Sequence, residues 1–169
     1  MTDRERLEAL ALANEQKRRD EESARKQIEA ENAQKQLQQT ASDEAQTEAI
    51  FQYCKSVFQG FKLKPTGHDV TVDKAPASKI HGIKSDGHEY VSMNISHWGS
   101  ETNDFQGVIP VILTRCFRGE YQVSDHEGRM KVLKSFDELK EHLIQLLASM
   151  DREALKKLFA TVRSQVSRR

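Results

Sequence analysis

The first glycine or proline in this chain is Gly60, and no aromatic residue precedes Phe51. A stretch that long without a backbone breaker favours one economical conformation, a continuous helix, because Gly and Pro are the residues that interrupt it at greatest cost. Residues 1–42 are built mainly from Glu, Gln, Lys, Arg, Ala and Asn, with Leu7, Leu10, Leu12, Ile28 and Leu37 as the large aliphatics. Such a segment has little with which to build a core of its own.

Thr2 and Glu5 have the spacing of a reciprocal capping box, so the helix is expected to begin almost at the first residue. Glu21 and Arg25, Glu22 and Lys26, and Glu31 and Lys35 stand four apart with the acid first. Pairs in that order contribute about 0.3–0.5 kcal/mol each. A helix reaching Thr40 would be roughly 55–60 Å long at the standard rise. With Leu7 at heptad position a, Leu10 falls at d, but Asn14, Lys17 and Glu21 follow before Ala24 and Ile28 restore the seam. The expectation is a charged helical arm over 1–42 and a candidate coiled coil. Leu7, Leu10, Ile28 and Leu37 would serve homo-oligomerisation or docking on a protein partner, with a solvated arm as the open alternative.

Thr40 to Asp43 reads as a second helix start, since short polar side chains cap exposed N–H groups. A helix is expected over 43–59, either fresh or continuous with the arm, burying Ile50, Cys54, Val57 and Phe61 and stopping at Gly60. After Pro65 the period changes to two. Val70 and Val72 alternate with Thr71, Ile80 and Ile83 flank Gly82, and Val91, Met93 and Ile95 alternate with Ser92, Asn94 and Ser96 as a half-buried strand over 90–97. The apolar run 108–113 predicts an interior strand, and Pro110 within it predicts an edge segment or a bulge. Arg118-Gly119 reads as a tight turn into a strand over 120–124, and 125–128 as the connection to a short strand over 130–133.

Ser135 and Glu138 repeat the capping box ahead of a helix with Phe136, Leu139, Leu143, Leu146 and Leu147 on one face. Asp151 opens a last helix with Leu155, Leu158, Phe159, Val162 and Val166 on its buried side. The predicted fold is therefore α+β: a long N-terminal helical arm, then a small antiparallel sheet packed against an N-terminal helix and a C-terminal helical hairpin. Residues 43–169 have the size of one compact domain.

The formal charge is zero, with a surplus of +4 confined to residues 131–169. A neutral chain lacks the cationic excess needed to wrap nucleic acid over most of its surface, although a local site on the last helix, through Lys156, Lys157 and Arg163, fits the residues. No apolar run is long enough to span a bilayer or to act as a signal segment, so a cytoplasmic protein without membrane contact is expected. Cys54 and Cys116 lack metal or redox spacing. His68, His81, His88, His97, His126 and His142 contain no H-x-x-x-H pair, and the phosphate-loop and nucleophile-elbow motifs are missing. No metal, no cofactor and no catalytic residue is assigned.

The loop after the third predicted strand carries the sole tryptophan among polar residues, and His97, Trp98 and Phe105 are its candidate contacts for a partner. The leading functional expectation is a non-enzymatic protein-binding or adaptor protein, with the arm setting assembly and the domain supplying recognition. A nucleic-acid-associated regulator using the basic last helix is the alternative. An enzyme pairing Cys116 with a nearby histidine is the second alternative.

Overall fold

The computed structural model of the chain describes residues 2–64, 66–76, 86–97 and 107–166. Helix α1 runs from Asp3–Phe58 without interruption. Two compact units divide within it, residues 1–41 and 42–169. The expected capping box forms at its start, with the Glu5 amide donating to Thr2 Oγ1 at 3.3 Å and the Thr2 amide donating to Glu5 Oε2 at 2.6 Å. Of the two alternatives open at 40–43, the continuous helix is the one that forms. Thr40 donates its hydroxyl back to the Gln36 carbonyl at 3.0 Å, as threonines inside helices do, and Asp43 spends its carboxylate elsewhere.

In the first unit every described residue is solvent-exposed, and five i,i+4 ion pairs lace the surface. Glu22 and Lys26 pair as expected, at 2.7 Å. The expected partners Glu21 and Arg25 pair instead with Lys17 and Glu29. All are exposed, so each contributes a fraction of a kcal/mol.

In the second unit α1 buries Asp43, Thr47, Ile50, Cys54 and Phe58, a stripe at spacings of three and four. The stripe corrects the expected one: Phe58 is 5% exposed, whereas Val57 is 48% and Phe61 38% exposed. The face centres between Asp43, Thr47 and Cys54 rather than on Ile50, which leaves Val57 at its edge and brings Phe58 in. The helix stops where Gly60 adopts a φ of +77°, a left-handed conformation that glycine takes without penalty.

Five strands follow, β1 (Val70–Pro76), β2 (Glu89–His97), β3 (Gly107–Phe117), β4 (Glu120–Ser124) and β5 (Met130–Leu133). They form one antiparallel meander in sequence order. Pro110 sits in the middle strand at an irregularity: Met93 opposes Ile112 and Asn94 opposes Pro110, leaving Val111 as the extra residue of a bulge. At the β3–β4 turn Arg118 and Gly119 both have positive φ, 52° and 76°, the requirement of the tight turn whose twist suits a two-residue hairpin.

Helices α2 (Phe136–Ala148) and α3 (Arg152–Val166) complete the chain. Ser135 Oγ accepts from the Glu138 amide at 3.2 Å, while the Glu138 carboxylate reaches one residue further back, to the Lys134 amide. Asp151 caps α3 by accepting from the Ala154 amide at 2.7 Å. Leu139, Leu143, Leu147, Leu155, Leu158 and Val162 join Ile50, Cys54 and Phe58 in one core with Val91, Met93, Ile95 and Ile112 of the sheet. The helices thus cover one face of the sheet, and the fold is α+β.

Within that core one polar atom is left over. Thr114 is fully buried on β3, opposite Val91 and Val123, and its hydroxyl has no hydrogen-bond partner among the described residues. Thr114→Val removes an unsatisfied buried group at similar volume, so the melting curve should shift upward by about 1 kcal/mol of stability. A loss of stability in chemical denaturation would show that the hydroxyl has an acceptor after all.

Candidate functional site

The strand over 90–97, expected to be half-buried, is buried on both faces. Val91, Met93 and Ile95 enter the core, and on the second face Tyr90, Ser92 and Asn94 are also buried. Polar partners make this tolerable: Ser92 donates to Asn94 Oδ1, and Asn94 Nδ2 donates to Asp73 Oδ2 at 3.5 Å.

Arg115 is the centre of this second face. Strand alternation turns its side chain away from the helices, because its neighbour Cys116 faces α1. The Arg115 side chain is only 7% exposed. Its guanidinium carbon lies 4.3 Å from the ring centroid of Tyr90 and 4.3 Å from that of Phe117, a stack between two π faces. Nε donates to Gln122 Oε1 at 3.0 Å, and Nη1 donates to Asp86 Oδ2 at 2.5 Å.

Asp86 precedes β2 and is held locally as well, since its Oδ1 accepts from the His88 amide at 3.1 Å across Gly87, whose φ is +81°. Partial burial pushes the Asp86 carboxyl up, but the hydrogen bonds from Arg115 and His88 outweigh it and hold the group below the usual carboxylate range. Tyr90 is fully buried, and its phenol is pushed up to about 12 by burial, so it remains a donor. Its hydroxyl has no hydrogen-bond partner among the described residues. Tyr90 and Leu113 form a small apolar cluster of their own, separate from the main core.

The opposite face of the same hairpin carries a second polar constellation. Asp43 of α1, 9% exposed, accepts from the Arg118 amide at 2.6 Å and the Gly119 amide at 2.9 Å, and from the Cys116 thiol at 3.6 Å. Thr47 Oγ1 accepts from the Cys116 amide at 3.1 Å, and Tyr121 donates to Gln46 Oε1 at 3.0 Å. Burial, reinforced by the Asp43 charge, pushes the Cys116 thiol up to about 11. A thiol so placed stays protonated at neutral pH and is a poor nucleophile. Burial pushes Cys54 up to about 12.

The residues expected to bind partners divide three ways. Trp98 and Phe105 lie outside the described residues, as do His81, Ile80 and Ile83; His97 ends β2, with its side chain outside them. Leu7, Leu10, Ile28 and Leu37 are exposed on the arm, together with Leu12, between 56% and 74%. Lys156 and Lys157 are exposed on α3, where Lys156 pairs with Glu153 at 3.1 Å, and Arg163 lies further along the same helix.

The remaining histidines do not converge. His68 contacts Thr66, His88 lies near the Phe117 ring, His126 faces Glu127 at 3.8 Å, and His142 sits on α2. Among the described residues no group of three or more His, Cys, Asp or Glu is arranged to hold a metal ion, and no helix is long and apolar enough to cross a membrane.

Sequence reasoning passed over Asp43, Asp86, Tyr90 and Arg115. Asp86-Gly87 carries a readable turn signal, and Asp43 looked like a helix cap. Nothing local distinguishes Arg115 from a solvent-facing strand residue. Comparison of the chain with protein-family models, curated proteins and solved structures gives no match.

Proposed function

We propose that this chain is a non-enzymatic binding protein, in which the arm drives assembly and the α+β domain carries recognition. The observation behind it is the arm's surface: Leu7, Leu10, Leu12, Ile28 and Leu37 are all exposed on a helix that buries nothing before Asp43. Covering these side chains against a partner would remove apolar area from water that the arm cannot bury on itself.

Their angular distribution refines the mode of assembly. At about 100° per residue, Leu7, Leu10 and Ile28 fall on one side of the arm and Leu12 and Leu37 on the opposite side. A two-stranded coiled coil has one seam and would cover only one of these sets. Covering both requires helices on two sides, as in a bundle of three or more. The near balance of acids and bases along the arm, interleaved in i,i+4 pairs, permits such packing between copies without a large repulsive field.

The enzyme alternative built on Cys116 is disfavoured by the protonated, Asp43-bound thiol. The nucleic-acid alternative gains no support from α3, where Lys156 is already engaged by Glu153.

Light scattering on the full chain and on a chain lacking residues 2–41 tests the arm. The full chain is expected at an oligomeric mass and the shortened one at a monomeric mass, with a cooperative melt retained. Equal monomeric masses would remove self-association, and unchanged cross-linking to other proteins as well would remove the arm's assembly role altogether.

A further inference from the structure

Arg115 is unusual in how completely it is prepared and how incompletely it is used. Stacking between Tyr90 and Phe117 fixes the plane of the guanidinium, and Gln122 fixes its Nε end. The outer fork then meets Asp86 through a single nitrogen, Nη1, and Nη2 makes no hydrogen bond among the described residues. The Tyr90 ring stacks on the guanidinium, and its fully buried hydroxyl lacks an acceptor among the described residues. A fully buried phenol donor without an acceptor, on a ring stacked against a fixed cation, is a costly arrangement unless an oxygen ligand fills it.

Asp86 fills it only in part. Its own backbone turn ties its other oxygen to the His88 amide, so it reaches the guanidinium through one oxygen only. A carboxylate free of that tether can take the guanidinium fork with both oxygens. Asp86 is also the accessible member of the pair, its side chain 32% exposed against 7% for Arg115.

We propose that the second face of the sheet is a carboxylate-binding site, in which Arg115 and Tyr90 hold the incoming carboxylate and Asp86 is the internal group it replaces. This deepens the reading of the domain as the recognising part of the protein and is independent of what the arm does. Only hydrogen bonds and an ion pair are exchanged; no covalent step is involved. The carboxylate can come from a small organic acid or from a protein, as a side chain or a C-terminus.

The test is a titration of the full chain at constant ionic strength, following the Arg115 Nε–H resonance by NMR. The probes are acetate, acetyl-glutamic acid amide, and acetyl-glycyl-glycine with either a free or an amidated terminus. A saturable shift with the carboxylates, absent with chloride and with the amidated peptide, is expected. Tyr90→Phe, which deletes an unbonded hydroxyl and keeps the packing, should weaken binding several-fold, and Arg115→Gln should abolish it. Asp86→Asn should tighten it by about tenfold, because an internal competitor is removed.

If acetate binds as well as the peptides, the ligand is a small acid; preference for the free terminus or for the glutamate side chain assigns a protein ligand. No saturable response in the wild-type chain, or an equal response to chloride, overturns the proposal and marks Arg115–Asp86 as a structural pair only. Should Asp86→Asn or Arg115→Gln fail to fold, the wild-type titration and Tyr90→Phe decide alone. A failed titration leaves the light-scattering result untouched, so the two readings fail separately.

Discussion

Asp43→Ala should cost about 3 kcal/mol and lower the melting temperature by roughly 10 °C, the largest effect expected of any polar substitution here. The carboxylate accepts from two consecutive backbone amides, Arg118 and Gly119, and these are the residues held at positive φ in the β3–β4 turn. Charge-assisted hydrogen bonds to a buried carboxylate are stronger than neutral ones, and alanine leaves both amides and the Cys116 thiol without their acceptor. Asp43→Asn keeps one acceptor oxygen and should recover about half of the loss. Urea denaturation of the three proteins measures this. A loss in Asp43→Ala below about 1 kcal/mol would mean that water replaces the carboxylate and that the hairpin does not depend on it.

Ile50→Ala should be comparably damaging, at about 3–4 kcal/mol, because Ile50 is fully buried where α1 meets the sheet and its removal leaves a cavity in a close-packed core. Val57→Ala on the same helix is the control. Half-exposed, it should change stability by less than about 0.5 kcal/mol. Equal losses at the two positions would show that the buried stripe runs through Val57, as the simple spacing argument had it. Far-UV circular dichroism through the same denaturation separates loss of docking from loss of the helix itself.

The contrast between these residues shows which parts of the fold were readable from sequence. Features whose cause is local came through: the Thr2 cap, the Ser135 cap, the Arg118-Gly119 turn, and the irregularity at Pro110. Each rests on the chemistry of two to four neighbouring residues. The stripe on α1 was only partly readable, because Val57 and Phe58 are both apolar neighbours and the choice between them depends on the polar Asp43 and Thr47 sharing the buried face.

Asp43 and Arg115 were unreadable for a stronger reason. Asp43 looks like a helix cap until the turn it serves, 75 residues later, is seen beside it. Arg115 sits between Thr114 and Cys116 in an alternating strand, where a charged residue ordinarily points to water. Only the register of β3 and the segment before β2 bring Tyr90, Phe117 and Asp86 around it. The candidate site is thus a product of strand pairing, and composition carries no trace of it.

Among the described residues the sequential order of the meander leaves β1 and β5 as the outer strands of the sheet, with part of β1 already bonded to residues 59–61, and both are defended against adding a further strand. β1 carries Lys74, turned toward Glu48 and the Phe51 ring of α1, and ends in Pro76, which has no amide proton to donate. β5 is four residues long, has exposed Lys131, and is followed by Lys134 paired with Glu120. Short, lysine-bearing edges resist strand-to-strand growth between molecules. In the assembly proposed for the arm, edges protected in this way would keep the sheets from being recruited into an aggregate.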